Sequence, residues 1–173
     1  MRAAAIALRA GLDPAWGEAL TELVLARHPP VPGEIWAGYW PIGTEIDIRP
    51  LLHRLAANGP VLLPVTPPRG QPLIFRRWEP GDVLQSERFG TSAPAGELMV
   101  PDVILVPLLA FDARGGRLGY GAGYYDRTLA ALPGRRTIGC AFAAQQVTRV
   151  PMDENDVRMD AIATEREVLF FRE

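Results

Sequence analysis

One stretch of this 173-residue chain limits its possible folds more than any other: Val103 to Arg127, VILVPLLAFDARGGRLGYGAGYYDR. It opens with a β-branched and apolar run, Val103 to Val106, closed by Pro107. Such a run suits a strand buried on both faces of a parallel sheet. Asp112, Gly115 and Gly116 then read as a tight turn. Gly119, Gly121 and Gly123 follow and lead into Tyr124, Tyr125, Asp126 and a helical segment to about Leu132. The order strand, turn, glycine loop, helix start can form a phosphate site, because bare backbone amides and a helix N-terminus together favour an anion. Arg117, placed by this reading at the mouth of the loop, adds a charged fork matched to phosphate oxygens. The string lacks the Lys-Ser or Lys-Thr of a Walker loop, and its G-x-G-x-G spacing is not the dinucleotide G-x-G-x-x-G. On the residues alone, a phosphate loop and a purely structural loop needing positive φ both remain open.

The rest of the chain sets the fold class. Met1 to about Ala10 reads as a helix, and Asp13-Pro14 as the cap and first residue of another running to about Arg27. Ile35 to Trp40 reads as a strand, Pro41 to Thr44 as the loop after it, and Asp47 as the cap of a helix through Ala57 that Asn58-Gly59 ends. Val61–Val65, Leu73–Trp78, Thr137–Phe142, Ala161–Ala163 and Val168–Phe171 read as strands, with Gln85 to Pro101 a long loop. Strands alternating with helices predict one α/β domain over residues 1–173, a three-layer α/β/α sandwich with a mostly parallel central sheet. Loops at Pro41–Glu45, Arg117–Asp126 and around Asp156 are expected to converge at one edge of it.

Composition removes several function classes. A net charge of −2 argues against nucleic-acid binding, and no apolar run is long enough for a membrane span. The lone cysteine, Cys140, lies in an apolar run and reads as an inert buried thiol rather than a nucleophile. Arg9 interrupts the apolar start, so no signal peptide is expected and the chain reads as cytoplasmic and monomeric. His28 and His53 have no partner pattern for a metal.

RLGYGAGYYD, preceded by VPLLAFD, resembles the signature of the 5-formyltetrahydrofolate cyclo-ligase (5,10-methenyltetrahydrofolate synthetase) family. The resemblance spans roughly residues 35 to 165 and is strongest at 101 to 127. It implies ATP- and Mg²⁺-dependent cyclisation of 5-formyltetrahydrofolate, with or without a polyglutamate tail, to 5,10-methenyltetrahydrofolate, releasing ADP and phosphate. It implies ATP contacts from Arg2, Arg117, Leu118, Gly119, Tyr120, Gly121, Ala122, Gly123, Tyr124 and Tyr125, with Arg117 and Asp126 catalytic. It implies substrate contacts from Trp40, Glu45, Phe89, Tyr120, Gly121, Gly123 and Tyr124. Asp126, closing YYD, and Asp156, in ENDV, match the acids linked to magnesium. Of the family's opening Lys-x-x-Leu-Arg segment only Arg2 has a match, with Arg9 on the same helical face seven residues, or about two turns, further along, and Ala122 replaces the usual Gly or Lys.

Each residue also has a plainer reading. Asp126 suits a helix dipole, Asp156 an Asx turn, Trp40 a core position, and Tyr124 and Tyr125 packing beneath the loop. A relative that binds folate or nucleotide without catalysis, and a sugar-phosphate isomerase or acyl-transfer enzyme on a similar sheet, are the competing functional readings.

Overall fold

The computed structural model describes residues 1–171. Its helices are α1 (Arg2–Ala10), α2 (Gly17–Arg27), α3 (Arg49–Ala56) and α4 (Tyr124–Ala131). Its strands are β1 (Trp36–Ala37), β2 (Val61–Val65), β3 (Ile74–Trp78), β4 (Gln85–Ser86), β5 (Ser92–Ala93), β6 (Val103–Pro107), β7 (Ala110–Phe111), β8 (Arg117–Leu118), β9 (Arg136–Cys140), β10 (Ala161–Ala163) and β11 (Val168–Phe170). Seven strands form one sheet in the order β11-β10-β9-β6-β1-β2-β3. The five central strands are parallel and both edge strands run antiparallel.

Alternation along the strands separates two cores. Trp36, Val61, Leu63, Val103, Leu105, Ile138 and Cys140 face one side, where Leu20 and Val24 of α2 and Leu51, Leu52 and Leu55 of α3 cover them. Ala37, Leu62, Ile104, Val106 and Ile162 face the other, with Leu129 of α4. The sheet is therefore covered on both faces, as its continuous apolar strands require. A third, smaller cluster seats Ala5 of α1 against Leu109, Leu118 and Val150, docking the first helix on the β7–β8 hairpin. Truncating one of these buried leucines to alanine costs about 2–5 kcal/mol.

Several boundaries differ from the sequence reading. The first strand covers only Trp36–Ala37, although Gly38 still donates to the Leu62 carbonyl at 2.8 Å; a Cβ at Gly38 would meet the Leu52 side chain at 2.3 Å. Asp13 does cap, accepting from the Ala15 N–H, but a 3-10 turn at Pro14–Trp16 precedes the α2 helix. α3 starts at Arg49 after Ile48, with Asp47 accepting from the Arg49 N–H one residue outside the cap position. The long 85–101 segment is not featureless: β4 and β5 pair antiparallel around a 3-10 turn at Arg88–Gly90. The segment from 112 to 116 is the tight turn its residues predict; it closes the β7–β8 hairpin, and Asp112 accepts there from the N–H groups of Arg114, Gly116 and Val150. No helix among the described residues is long and apolar enough to cross a membrane.

Candidate active site

All the parallel strands deliver their following loops to one edge of the sheet, and three of those loops meet there. Gly121 (φ 103°) and Gly123 (φ 72°) hold the left-handed backbone that lets the glycine loop turn into α4. A Cβ at Gly121 would meet the Arg2 guanidinium at 3.5 Å, and one at Gly123 would meet Arg127 Nη1 at 2.7 Å. Arg2 Nε donates to the Gly119 carbonyl at 3.0 Å, so α1 lies directly over the loop. Arg127 donates to the carbonyls of Ala122 and Gln71 and stacks on the Tyr124 ring, fixing the far side of the loop.

Arg117 is not at the mouth of this loop but beneath it, 6% exposed, with its Nη2 donating to Asp126 Oδ1. The cause is the β7–β8 hairpin, which turns both Arg117 and Leu118 inward; Leu118 fills the small core under α1 and offers the loop only its backbone. Arg117 Nε is buried without a partner among the described residues. Asp126 occupies the first turn of α4 and also accepts from the Val157 N–H at 3.4 Å, which brings the 153–158 segment alongside it. Asp156 closes a turn there, its Oδ2 accepting from the Asp153 N–H at 2.8 Å. The described residues hold no group of three metal-ligating side chains. Two neighbouring carboxylate-bearing segments still suit Mg²⁺, which binds through one or two carboxylates when phosphates and waters supply the remaining oxygens.

Glu45 sits 5% exposed in the loop after β1. Its Oε2 accepts from the Ile42 N–H at 2.8 Å and its Oε1 from the Tyr120 hydroxyl at 2.6 Å. This second bond ties the loop after β1 to the glycine loop. Arg9, 5% exposed, donates to the Tyr120 hydroxyl at 2.6 Å and to Thr44 Oγ1 at 3.1 Å, and its guanidinium lies over the Tyr120 ring. Burial raises the Glu45 carboxyl above its ordinary range; Tyr120, the Ile42 N–H and Arg9 pull it back in part. Burial, reinforced by Glu45, pushes the Tyr120 and Tyr125 phenols upward. The Tyr39 hydroxyl is buried in the same neighbourhood without a hydrogen-bond partner among the described residues.

The remaining residues considered from the sequence lie as follows. Trp40 is half-buried, packed against Trp78 at 5.9 Å with Arg49 over its ring, so it belongs partly to the core. Phe89 is 56% exposed and is the only non-glycine residue among those described with positive φ (62°), a conformation that stores strain. Arg69 covers its ring at 5.3 Å, and Tyr124 ties the Arg69 loop to α4 by donating to the Pro67 carbonyl. His28 and His53 instead pack edge-on against Trp36 and Trp78. Cys140 is buried, its thiol pushed up to about 12 by burial, and cannot serve as a nucleophile near neutral pH. Sequence reasoning assigned no role to Tyr39 or Thr44 and set Arg9, seven residues along the helix from Arg2, as a lesser phosphate contact rather than a partner of Tyr120.

A model of the 5-formyltetrahydrofolate cyclo-ligase family matches residues 34–165. The 5-formyltetrahydrofolate cyclo-ligase of Escherichia coli (strain K12) is 32% identical over 162 residues, covering 88% of this chain and 89% of that protein. That of Mycolicibacterium smegmatis is 35% identical over 146 residues, covering 78% and 75%. The solved structure of Aquifex aeolicus 5,10-methenyltetrahydrofolate synthetase superposes with a TM-score of 0.80 at 31% identity, covering 99% of this chain and 91% of that one.

Proposed function

This chain belongs to the 5-formyltetrahydrofolate cyclo-ligase family, and from that premise we propose that it couples ATP hydrolysis, with Mg²⁺, to cyclisation of 5-formyltetrahydrofolate in the cytoplasm. One observation carries the proposal: Tyr120, inside the glycine loop, donates to Glu45 at 2.6 Å, so a loop suited to phosphates and an acid suited to a pterin share one edge.

The chemistry follows from the substrate. A formamide carbonyl is a poor electrophile because amide resonance is strong, as the ~18–20 kcal/mol peptide rotation barrier indicates. Attack of the formyl oxygen on the γ-phosphorus expels ADP and converts that oxygen into a phosphate ester. The neighbouring folate N–H nitrogen then attacks the formyl carbon and gives up its proton, and phosphate departs with the oxygen, leaving the methenyl bridge. No covalent nucleophile is needed from the protein, only positioning and charge stabilisation.

The residues divide accordingly. The amides of residues 119–123 and the N-terminal turn of α4 receive the phosphates, with Arg2 above and Arg117 beneath adding positive charge. Asp126 and Asp156 would hold Mg²⁺, which supplies neutralisation of the phosphate charge when bound. The Arg117–Asp126 pair orients the Asp126 carboxylate toward that role. Glu45 accepts from adjacent N–H donors of the pterin, a geometry a carboxylate matches with both oxygens. Trp40, Phe89 and Tyr124 offer apolar surface to the flat rings.

Incubating the purified chain with ATP, Mg²⁺ and 5-formyltetrahydrofolate should produce methenyl absorbance that depends on all three. Asp126→Asn, which keeps shape but loses charge, should abolish most of it with circular dichroism unchanged. Normal turnover of that variant at low Mg²⁺ would return Asp126 to a helix-dipole role.

A further inference from the structure

We propose that Tyr120 and Arg9 are positioning residues for Glu45, a relay in which a buried cation holds a tyrosine hydroxyl that in turn aims the carboxylate at the pterin. The inference rests on the assignment of Glu45 to the substrate made above.

Three segments far apart in the chain meet in one line. Arg9 lies in the last turn of α1, Tyr120 in the glycine loop and Glu45 after β1. Arg9 is buried, yet none of the salt bridges among the described residues includes it. A buried guanidinium without an ion pair is costly unless its hydrogen bonds are specific. Here they are: Nη1 donates to the Tyr120 oxygen and Nε to Thr44, the residue beside Glu45. With its oxygen accepting from Arg9, the Tyr120 O–H is left one direction for its proton, toward Glu45 Oε1. Arg9 therefore fixes the polarity of the second bond.

The consequence concerns charge and aim together. Oε2 is held by the Ile42 N–H and Oε1 by Tyr120, which pins the rotamer. Each carboxylate oxygen still has a second lone pair, the acceptor capacity that two N–H donors of a pterin require. The groups facing Glu45 are Arg9, Tyr120, Tyr39 and Tyr125. Burial favours the protonated acid, which could not accept both substrate donors, and Tyr120 and Arg9 oppose this. Tyr120 is thus part of the substrate half of the site through its hydroxyl, although its backbone belongs to the phosphate loop.

The test uses the full chain with Tyr120→Phe, Arg9→Met and Arg9→Lys. Tyr120→Phe should raise KM for 5-formyltetrahydrofolate by about tenfold, the loss of one hydrogen bond to a charged group. It should also move the acid limb of kcat/KM to higher pH, because Glu45 then protonates more readily. Arg9→Met should do the same, and Arg9→Lys should recover part of the loss. An acid limb that stays in place in Tyr120→Phe, or equal losses in Arg9→Met and Arg9→Lys, would overturn the relay. Carboxyl ¹³C titration of Glu45 in wild type and Tyr120→Phe judges the relay apart from turnover: a higher Glu45 pKa in the variant supports it, and an unchanged one removes it. Wild-type protein that never converts 5-formyltetrahydrofolate would instead overturn the proposed reaction.

Discussion

Two buried carboxylates, Asp112 in the β7–β8 hairpin and Glu45 in the loop after β1, are 1% and 5% exposed and differently partnered. Asp112 accepts three backbone N–H groups, from Arg114, Gly116 and Val150. Burial alone would raise its pKa, but these donors and nearby Arg114 hold it below the usual carboxylate range. Glu45 has one backbone donor and one phenol, and burial leaves it raised. A carboxylate saturated by its own backbone ties segments together; one left partly unsatisfied keeps acceptor capacity for something else. On the proposed reading, the surroundings of these two acids, not their burial, separate a structural carboxylate from a substrate-binding one.

The largest test of that contrast exchanges each acid for its amide. Glu45→Gln should lower kcat/KM by about a hundredfold, the loss of a charge-assisted pair at roughly 1.5–3 kcal/mol per bond, a loss that persists per folded molecule after any change in stability is corrected for. Asp112→Asn should instead act on stability alone. Its amide turns an N–H group toward one of three backbone donors, costing about 1–3 kcal/mol in urea unfolding, with turnover per folded molecule nearly unchanged. Matching losses of activity in both variants would erase the distinction.

A second test extends the contrast to the two arginines of α1. Arg2 touches the glycine loop, whereas Arg9 is committed to Thr44 and Tyr120. Arg2→Ala should weaken ATP binding by about one to two orders of magnitude, one cation–phosphate contact at roughly 1.5–3 kcal/mol, and Arg9→Ala by less than about threefold. Calorimetric titration with ATP measures both; a larger loss at Arg9 would place it with the phosphates.

The smallest effect is in the pH dependence of stability. Asp112, depressed in the folded protein, contributes stability that is complete above its unfolded pKa of about 3.9 and is lost as pH falls through its folded value. Glu45, raised in the folded protein, contributes stability that is complete below about 4.3 and is lost as pH rises through its folded value. Urea unfolding from pH 3 to 7 should therefore show a flatter acid side for Asp112→Asn and a flatter neutral side for Glu45→Gln. Parallel curves for both variants would mean that neither shift exists.

Much of the scaffold was readable from the chain because continuous apolar runs report burial directly. β2 occupies the same five residues that its composition marks, and β6 extends the predicted run by only Pro107. The glycine loop was readable because its backbone conformations admit few other residues. β4 and β5 were not, since Gln85-Ser86 and Ser92-Ala93 carry no apolar alternation. Arg117 was misplaced because its spacing from the glycines fixes distance along the chain, while the direction of its side chain depends on the hairpin. The Arg9–Tyr120–Glu45 line joins residues 111 and 75 positions apart, and no local pattern encodes such a meeting.

The strand order has a kinetic consequence. β6, buried on every side, pairs with β1 across 67 positions (Trp36 to Val103) and with β9, which is synthesised some 30 positions later. Closing loops of that size before any pairing rewards them makes folding slow, in the range of non-local topologies. A nascent chain emerging from the ribosome carries Val103–Pro107 with the edge that β9 pairs still open until Arg136–Cys140 has also emerged. During synthesis, that interval is when the chain is most prone to aggregate and most in need of a chaperone.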